Sequence, residues 1–154
     1  MLYAKMKQAD HLTIASDAFD KIKGHFADLE IIDELNDKDV DLSFNIPRQL
    51  GLDFDINLNL QTDELHISTE FFSGSWFSIK SPEIVDIFVD AVKGLITGDY
   101  RIVQYWNNNK LIKCYLQKPT DTDWKTISKE NKNRSLPWAT LKKLIIRNKS
   151  YKRL

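Results

Sequence analysis

Asp55, His66 and Glu70 carry the chemistry most readily drawn from this chain. Between Leu52 and Phe71, apolar residues alternate with Asp53, Asp55, Asn57, Asn59, His66, Ser68 and Glu70, which is the two-residue period of a strand with one wet face. A turn at Gln61–Glu64 that sets Leu60 opposite Leu65 also sets Asn59 opposite His66, Asn57 opposite Ser68 and Asp55 opposite Glu70. Opposed carboxylates repel, and such a pair beside a neutral imidazole can hold a divalent ion or divide acid and base roles. One functional expectation is therefore a small hydrolase with Asp55, His66 and Glu70 as candidate catalytic residues. The competing reading of the same residues is a solvated sheet face with screened charges.

A second constellation is basic and aromatic. The formal net charge is zero, yet residues 1–99 hold 8 Lys/Arg against 19 Asp/Glu and residues 100–154 hold 14 against 3. Residues 129–154 alone carry 9 Lys/Arg and one acid, Glu130. Trp76, Trp106, Trp124 and Trp138 join Tyr100, Tyr105 and Tyr115 in a large aromatic load. Aromatics exposed among cations suit a protein hot spot or stacking on bases, whereas buried ones are simply core. The candidate binding residues are Trp106, Lys142, Lys143 and Arg147. Nucleic acid is an alternative partner, disfavoured at this level because the acidic first part repels a polyanion. A protein partner is the preferred expectation, and the alternative for the basic segment is docking against the acidic part of its own chain.

Other chemistry has little support. There is no Gly-rich phosphate loop, no His-Glu-x-x-His, no Cys-x-x-Cys and no Gly-x-Ser-x-Gly. The single Cys114 cannot form an internal disulfide or supply a multi-cysteine zinc site, and a strand position predicts it packed inside. No cofactor or metal is expected. With no secretory leader and no apolar run of roughly 20 residues, the expectation is a cytoplasmic protein without membrane partners.

These residues need elements to position them, and one helix organises the rest. Ser81 is a predicted N-cap whose hydroxyl can accept a first-turn amide, Pro82 suits the first helical position, and Glu83 meets the positive helix end. Ile84, Val85, Ile87, Phe88, Val89, Ala91, Val92, Leu95 and Ile96 leave only the narrow polar stripe Asp86, Asp90, Lys93 and Thr97, so the helix must be covered on more than one side. Gly98 gives the stop.

Met1–Met6 suits a short strand, and Phe19, Ile22, Phe26 and Leu29 predict a helix from about Ser16. Asn36–Asp41 reads as an acidic link, and Val40–Ile46 as a strand ended by Pro47. Ser73-Gly74-Ser75 reads as a break in the sheet. Tyr100–Trp106 and Leu111–Gln117 form a hairpin about Asn107–Lys110, because Asn tolerates positive φ, and Trp124–Ser128 adds a third strand. From Leu136 the chain suits helix or strand, with helix favoured by Pro137. Trp138, Leu141, Leu144 and Ile145 predict that this segment docks with its lysines outward.

The expectation is an α+β fold: a mostly antiparallel sheet of five to seven strands with two main helices packed on it. Residues 1–154 form a single domain, with the basic segment 129–154 docked on it. The function expected of it is a non-catalytic binding module, with the hydrolase and nucleic-acid readings as alternatives.

Overall fold

The computed structural model describes residues 2–34 and 40–152. Helix α1 (Leu2–His25) is followed by five strands, β1 (Ile32–Glu34), β2 (Leu42–Ile46), β3 (Ile56–Gln61), β4 (Glu64–Ser68) and β5 (Ser73–Phe77). Helix α2 (Pro82–Thr97) then leads into β6 (Arg101–Asn107), β7 (Lys110–Pro119), β8 (Trp124–Asn131) and β9 (Lys142–Ile146). The class is α+β with antiparallel pairing throughout, but the strands form two sheets rather than one. The first has order β1-β2-β3-β4-β5 and the second β8-β7-β6-β9.

The register of the central hairpin is the one the alternation dictates. Leu60 faces Leu65, Asn59 faces His66 and Asn57 faces Ser68. Thr62 takes φ 57° in the turn, where Asp41 Oδ2 accepts its amide at 2.7 Å. The inward row Ile56, Leu58, Leu60, Leu65 and Ile67 is buried, together with Phe44 and Ile46 of β2. Onto it pack the Phe19, Ile22 and Phe26 face of α1 and the Phe88, Val92 and Leu95 face of α2. Phe19 sits 4.7 Å from Phe44 and 6.0 Å from Phe88, ring centre to ring centre, so one aromatic joins both helices to the sheet. Ile102, Cys114 and Leu116 bring the second sheet into the same core.

Several expectations are corrected. The first residues are helix, not strand: α1 already runs at Leu2, so a helix predicted from about Ser16 is its second half. Strand β3 starts at Ile56, because Gln49 and Leu52 close a small bridge and the chain bends through Asp53 and Phe54. Ser73-Gly74-Ser75 is not a break but the start of β5; its small residues let the chain lie close to Ser128, whose Oγ would meet a Cβ on Gly74 at 2.9 Å. Ser81 holds the N-cap position with φ −85° and ψ 113° but makes no side-chain capping bond, and Gly98 closes α2 at φ 77° as expected. The weak preference for helix after Leu136 is overturned by β9, where backbone pairing with β6 outweighs the Pro137 signal. Residues 36–39 of the expected acidic link lie outside the described residues.

The last segment attaches differently from the expectation. Leu136 and Trp138 are 57% and 78% exposed, and Leu144 and Ile145 are also exposed. Edge-strand hydrogen bonds hold it, and the apolar side chains it packs on the core are Ile146 and Tyr151 rather than those expected. Asn148, just beyond β9, makes the buried attachment instead: its Nδ2 donates to the carbonyls of Ile96 at 2.5 Å and Gly51 at 2.9 Å, and its Oδ1 accepts the amide of Asp53 at 3.0 Å. Among the described residues no helix is long and apolar enough to cross a membrane.

Candidate functional site

Cross-strand partners share a face of a sheet, so the pairs in the second sheet sort its side chains into two rows. Ile102, Leu116 and Ser128 stand in one line across the sheet, as do Gln104, Cys114 and Glu130, and these belong to the inward row. The other row is assembled from Arg101 with Gln117, Val103 with Tyr115 and Ile145, and Tyr105 with Lys113 and Lys143. Tyr115 pairs onward with Lys129, and Lys113 with Asn131. A register shift after Leu116 pairs Gln117 with Thr126 and Pro119 with Trp124, which keeps Thr126 and Trp124 on this outward row.

That row is basic and aromatic. The Arg101 guanidinium lies 4.1 Å from the centre of the Trp124 ring and Arg147 lies 5.4 Å from it. Tyr105 and Tyr115 meet edge to face at 5.5 Å. The Lys113 ammonium sits 4.9 Å from the Tyr105 ring and 5.4 Å from the Tyr115 ring, and Lys129 is 5.7 Å from Tyr115. Arg101 Nε also donates to Gln117 Oε1 at 2.9 Å, and Arg147 Nε to the Gly98 carbonyl at 2.7 Å, so both guanidiniums are oriented. Arg101, Lys113, Lys129, Lys143 and Arg147 thus share one face with Tyr105, Tyr115 and Trp124. No outward position of these strands is a carboxylate among the described residues.

Of the predicted binding residues, Lys143 and Arg147 stand on this face. Trp106 and Lys142 pair with each other on the opposite row, where Trp106 Nε1 donates to Gln104 Oε1 at 3.0 Å. Sequence reasoning did not single out Arg101, Tyr105, Lys113, Tyr115, Trp124 and Lys129 as a set. The alternation Lys113–Tyr115–Gln117 carried part of the signal, but the bulge in front of Gln117 hid its continuation to Trp124.

The predicted catalytic trio is divided. Asp55 and Glu70 line one groove of about 300 Å³ with Asn45, Arg48, Asn57, Ser68 and Thr69. They do not pair, because the ladder ends at Asn57 and Ser68; Asp55 Oδ1 instead accepts the Arg48 amide at 2.5 Å. His66 lines a different groove, of about 410 Å³, with β5 residues on one side and Ser128, Lys129, Glu130 and Asn131 on the other. Its Nε2 is buried 3.2 Å from Glu64 Oε2 without an aligned hydrogen bond. Among the described residues no three His, Cys, Asp or Glu side chains are grouped to hold a metal ion.

The rest of the wet face of the first sheet is an amide and hydroxyl ladder. Gln61 donates to Asn59 at 3.0 Å, Asn59 to Asn57 at 2.9 Å, Asn57 to Ser43 at 3.2 Å and Ser43 to Glu34 at 3.2 Å. These groups satisfy one another, as burial requires of Ser43 and Asn59, and leave no free group poised for chemistry in this ladder. Cys114 is fully buried, and burial, reinforced by the Glu130 charge, pushes its thiol up to about 11, so it has no nucleophilic character at neutral pH.

No protein-family model, curated protein or solved structure matches this chain.

Proposed function

We propose that this protein is a non-catalytic binding module and that the outward face of the β6–β9 sheet takes an anionic chain. The observation that carries the reading is the row of Arg101, Lys113, Lys129, Lys143 and Arg147 with no carboxylate among the outward strand positions. Like charges placed side by side on a sheet repel, and a fold that tolerates several of them on one flat face gains when an anion neutralises them. The zero net charge of the chain does not oppose this, because the acidic excess lies in residues 1–99 and none of it stands at the outward positions of these strands. The division of Asp55, Glu70 and His66 between two grooves supports a binding role over a hydrolytic one.

The test uses the full chain with inorganic polyphosphate, an anionic chain without rings. Binding is followed by calorimetry from low to physiological salt. The expected affinity falls steeply with salt, and each cation removed lowers the slope of log K against log salt by roughly one. Replacing Lys113, Lys129 and Lys143 together by Glu abolishes binding, whereas Lys21→Glu and Lys80→Glu, at the groove between the helices, leave it unchanged. Binding at low salt that is indifferent to the triple replacement, or no binding at all, overturns the reading.

A further inference from the structure

We infer that the anionic chain is single-stranded nucleic acid, with bases stacked at two stations on the β6–β9 face; this rests on the reading above that the face binds an anionic chain. Cations alone would serve any polyanion. The rings are what narrow the choice, because bases are the flat π-faced groups that alternate with phosphates along such a chain.

The first station is Trp124 with Arg101 4.1 Å from its ring centre and Arg147 at 5.4 Å. A guanidinium already stacked on an indole offers its free side to a base, and its N–H groups to a phosphate. The second station is the Tyr105–Tyr115 pair, flanked by Lys113 and Lys129. Trp124 pairs with Pro119, which lies four positions along β7 from Tyr115. At about 3.3 Å per residue the stations are therefore roughly 13 Å apart. Gln117 and Thr126, themselves hydrogen-bonded at 3.1 Å, lie between them. Bases, hydroxyls and phosphates all find partners on such a path.

The width of the face keeps it out of a duplex groove. The second sheet has four strands in the order β8-β7-β6-β9. Three spacings of about 4.8 Å make it roughly 14 Å wide between its outer strands before side chains are added. A major groove about 12 Å wide admits a helix or a two-stranded ribbon, not this face. A single strand lies flat on it with its bases turned down onto the rings. Trp124, Tyr105 and Tyr115 each keep part of their surface exposed.

The experiment compares three probes on the full chain at one salt concentration: an oligothymidine of about ten nucleotides, polyphosphate of matched charge, and a blunt duplex of the same length. Its variants are Tyr115→Leu, Tyr115→Phe and Trp124→Leu, each checked for folding by circular dichroism. The expected result is oligothymidine bound at least about ten-fold more tightly than polyphosphate and duplex. Tyr115→Leu and Trp124→Leu each weaken the oligonucleotide by about ten-fold, as loss of one stacked base predicts, and shrink its advantage over polyphosphate by a similar factor. Tyr115→Phe keeps the ring and keeps the affinity. If Tyr115→Leu does not fold, Trp124→Leu decides alone. Equal binding of oligothymidine and polyphosphate, both indifferent to loss of the rings, overturns this inference and leaves the anionic-chain reading standing. Tighter binding of duplex than single strand also overturns it. If polyphosphate does not bind at all, both readings fall.

Discussion

Glu130 of β8 reaches the edge of the other sheet, where its Oε2 accepts the backbone N–H of Ser73 in β5 at 3.0 Å. Its second oxygen, Oε1, holds Lys132 at 2.7 Å. The two sheets share no ladder, so this carboxylate is a direct polar tie between their edges. Glu130→Ala should cost about 1 kcal/mol, because the Ser73 amide is exposed and can turn to water. Glu130→Gln keeps an acceptor and should cost less. Urea unfolding followed by tryptophan fluorescence measures both, and equal losses would show that charge, not the Ser73 bond, is what Glu130 provides.

Cys114 offers a second prediction, worked from its thiol at about 11. In the unfolded chain this group ionises near 8.5. Between those two values the unfolded state has lost a proton that the folded state keeps, so stability falls as pH rises through this window. Cys114→Ala should flatten that alkaline slope. At pH 8 a thiol reagent should modify the native protein only as fast as it unfolds, and stoichiometric labelling within seconds in native buffer would contradict the burial.

The opposite sign applies to Asp53. Its carboxylate accepts the Ser150 hydroxyl and the Lys149 amide at 2.8 Å, which holds it below the usual aspartate range. The stability it contributes is present above the unfolded value near 3.8 and is lost as pH falls through the lower folded value. Asp53→Asn should therefore unfold with a shallower dependence on pH below 4. An acid titration of the melting temperature for both proteins makes the comparison.

Asn148 is the larger structural test. Its side chain satisfies the carbonyls of Ile96 and Gly51 and the amide of Asp53 at a buried position. Asn148→Ala leaves those groups without partners and should cost about 2–3 kcal/mol. Asn148→Asp keeps the acceptor, loses both donors and should be no better. A cost under half a kilocalorie would mean that water replaces the side chain.

Two glycines should respond in opposite directions. A Cβ on Gly94 would run into the Tyr100 ring, so Gly94→Ala should destabilise by about 1–3 kcal/mol despite the better helix propensity of alanine. Gly24, late in α1, has open space where its Cβ would stand, and Gly24→Ala should stabilise by about 0.5–1 kcal/mol. Thermal melts of the two variants decide, and the same sign for both would refute the packing argument.

The sequence by itself determined what local rules can reach. Alternation over Ile56–Ser68 fixed the face and register of the first hairpin, since slipping by one residue would turn Leu58 and Leu60 outward. The apolar circumference of α2 required cover on several sides, and Phe88 is fully buried. Asn108 adopts φ 53° in the turn its residue type suits. Only the tertiary structure decided the rest. Lys142–Ile146 is compatible locally with helix or strand, and the open edge of β6 settles it. The strands split into two sheets with α2 between β5 and β6 in the chain, and Ile102, Cys114 and Leu116 bring the second sheet into the core that α2 shares. Most of all, the bulge after Leu116 brings Trp124 onto the face of Arg101 and Tyr115, and β9 adds Lys143 and Arg147 from the far end of the chain. A face gathered from four strands depends on register and strand order, and those are set by long-range pairing that no local pattern of residues specifies.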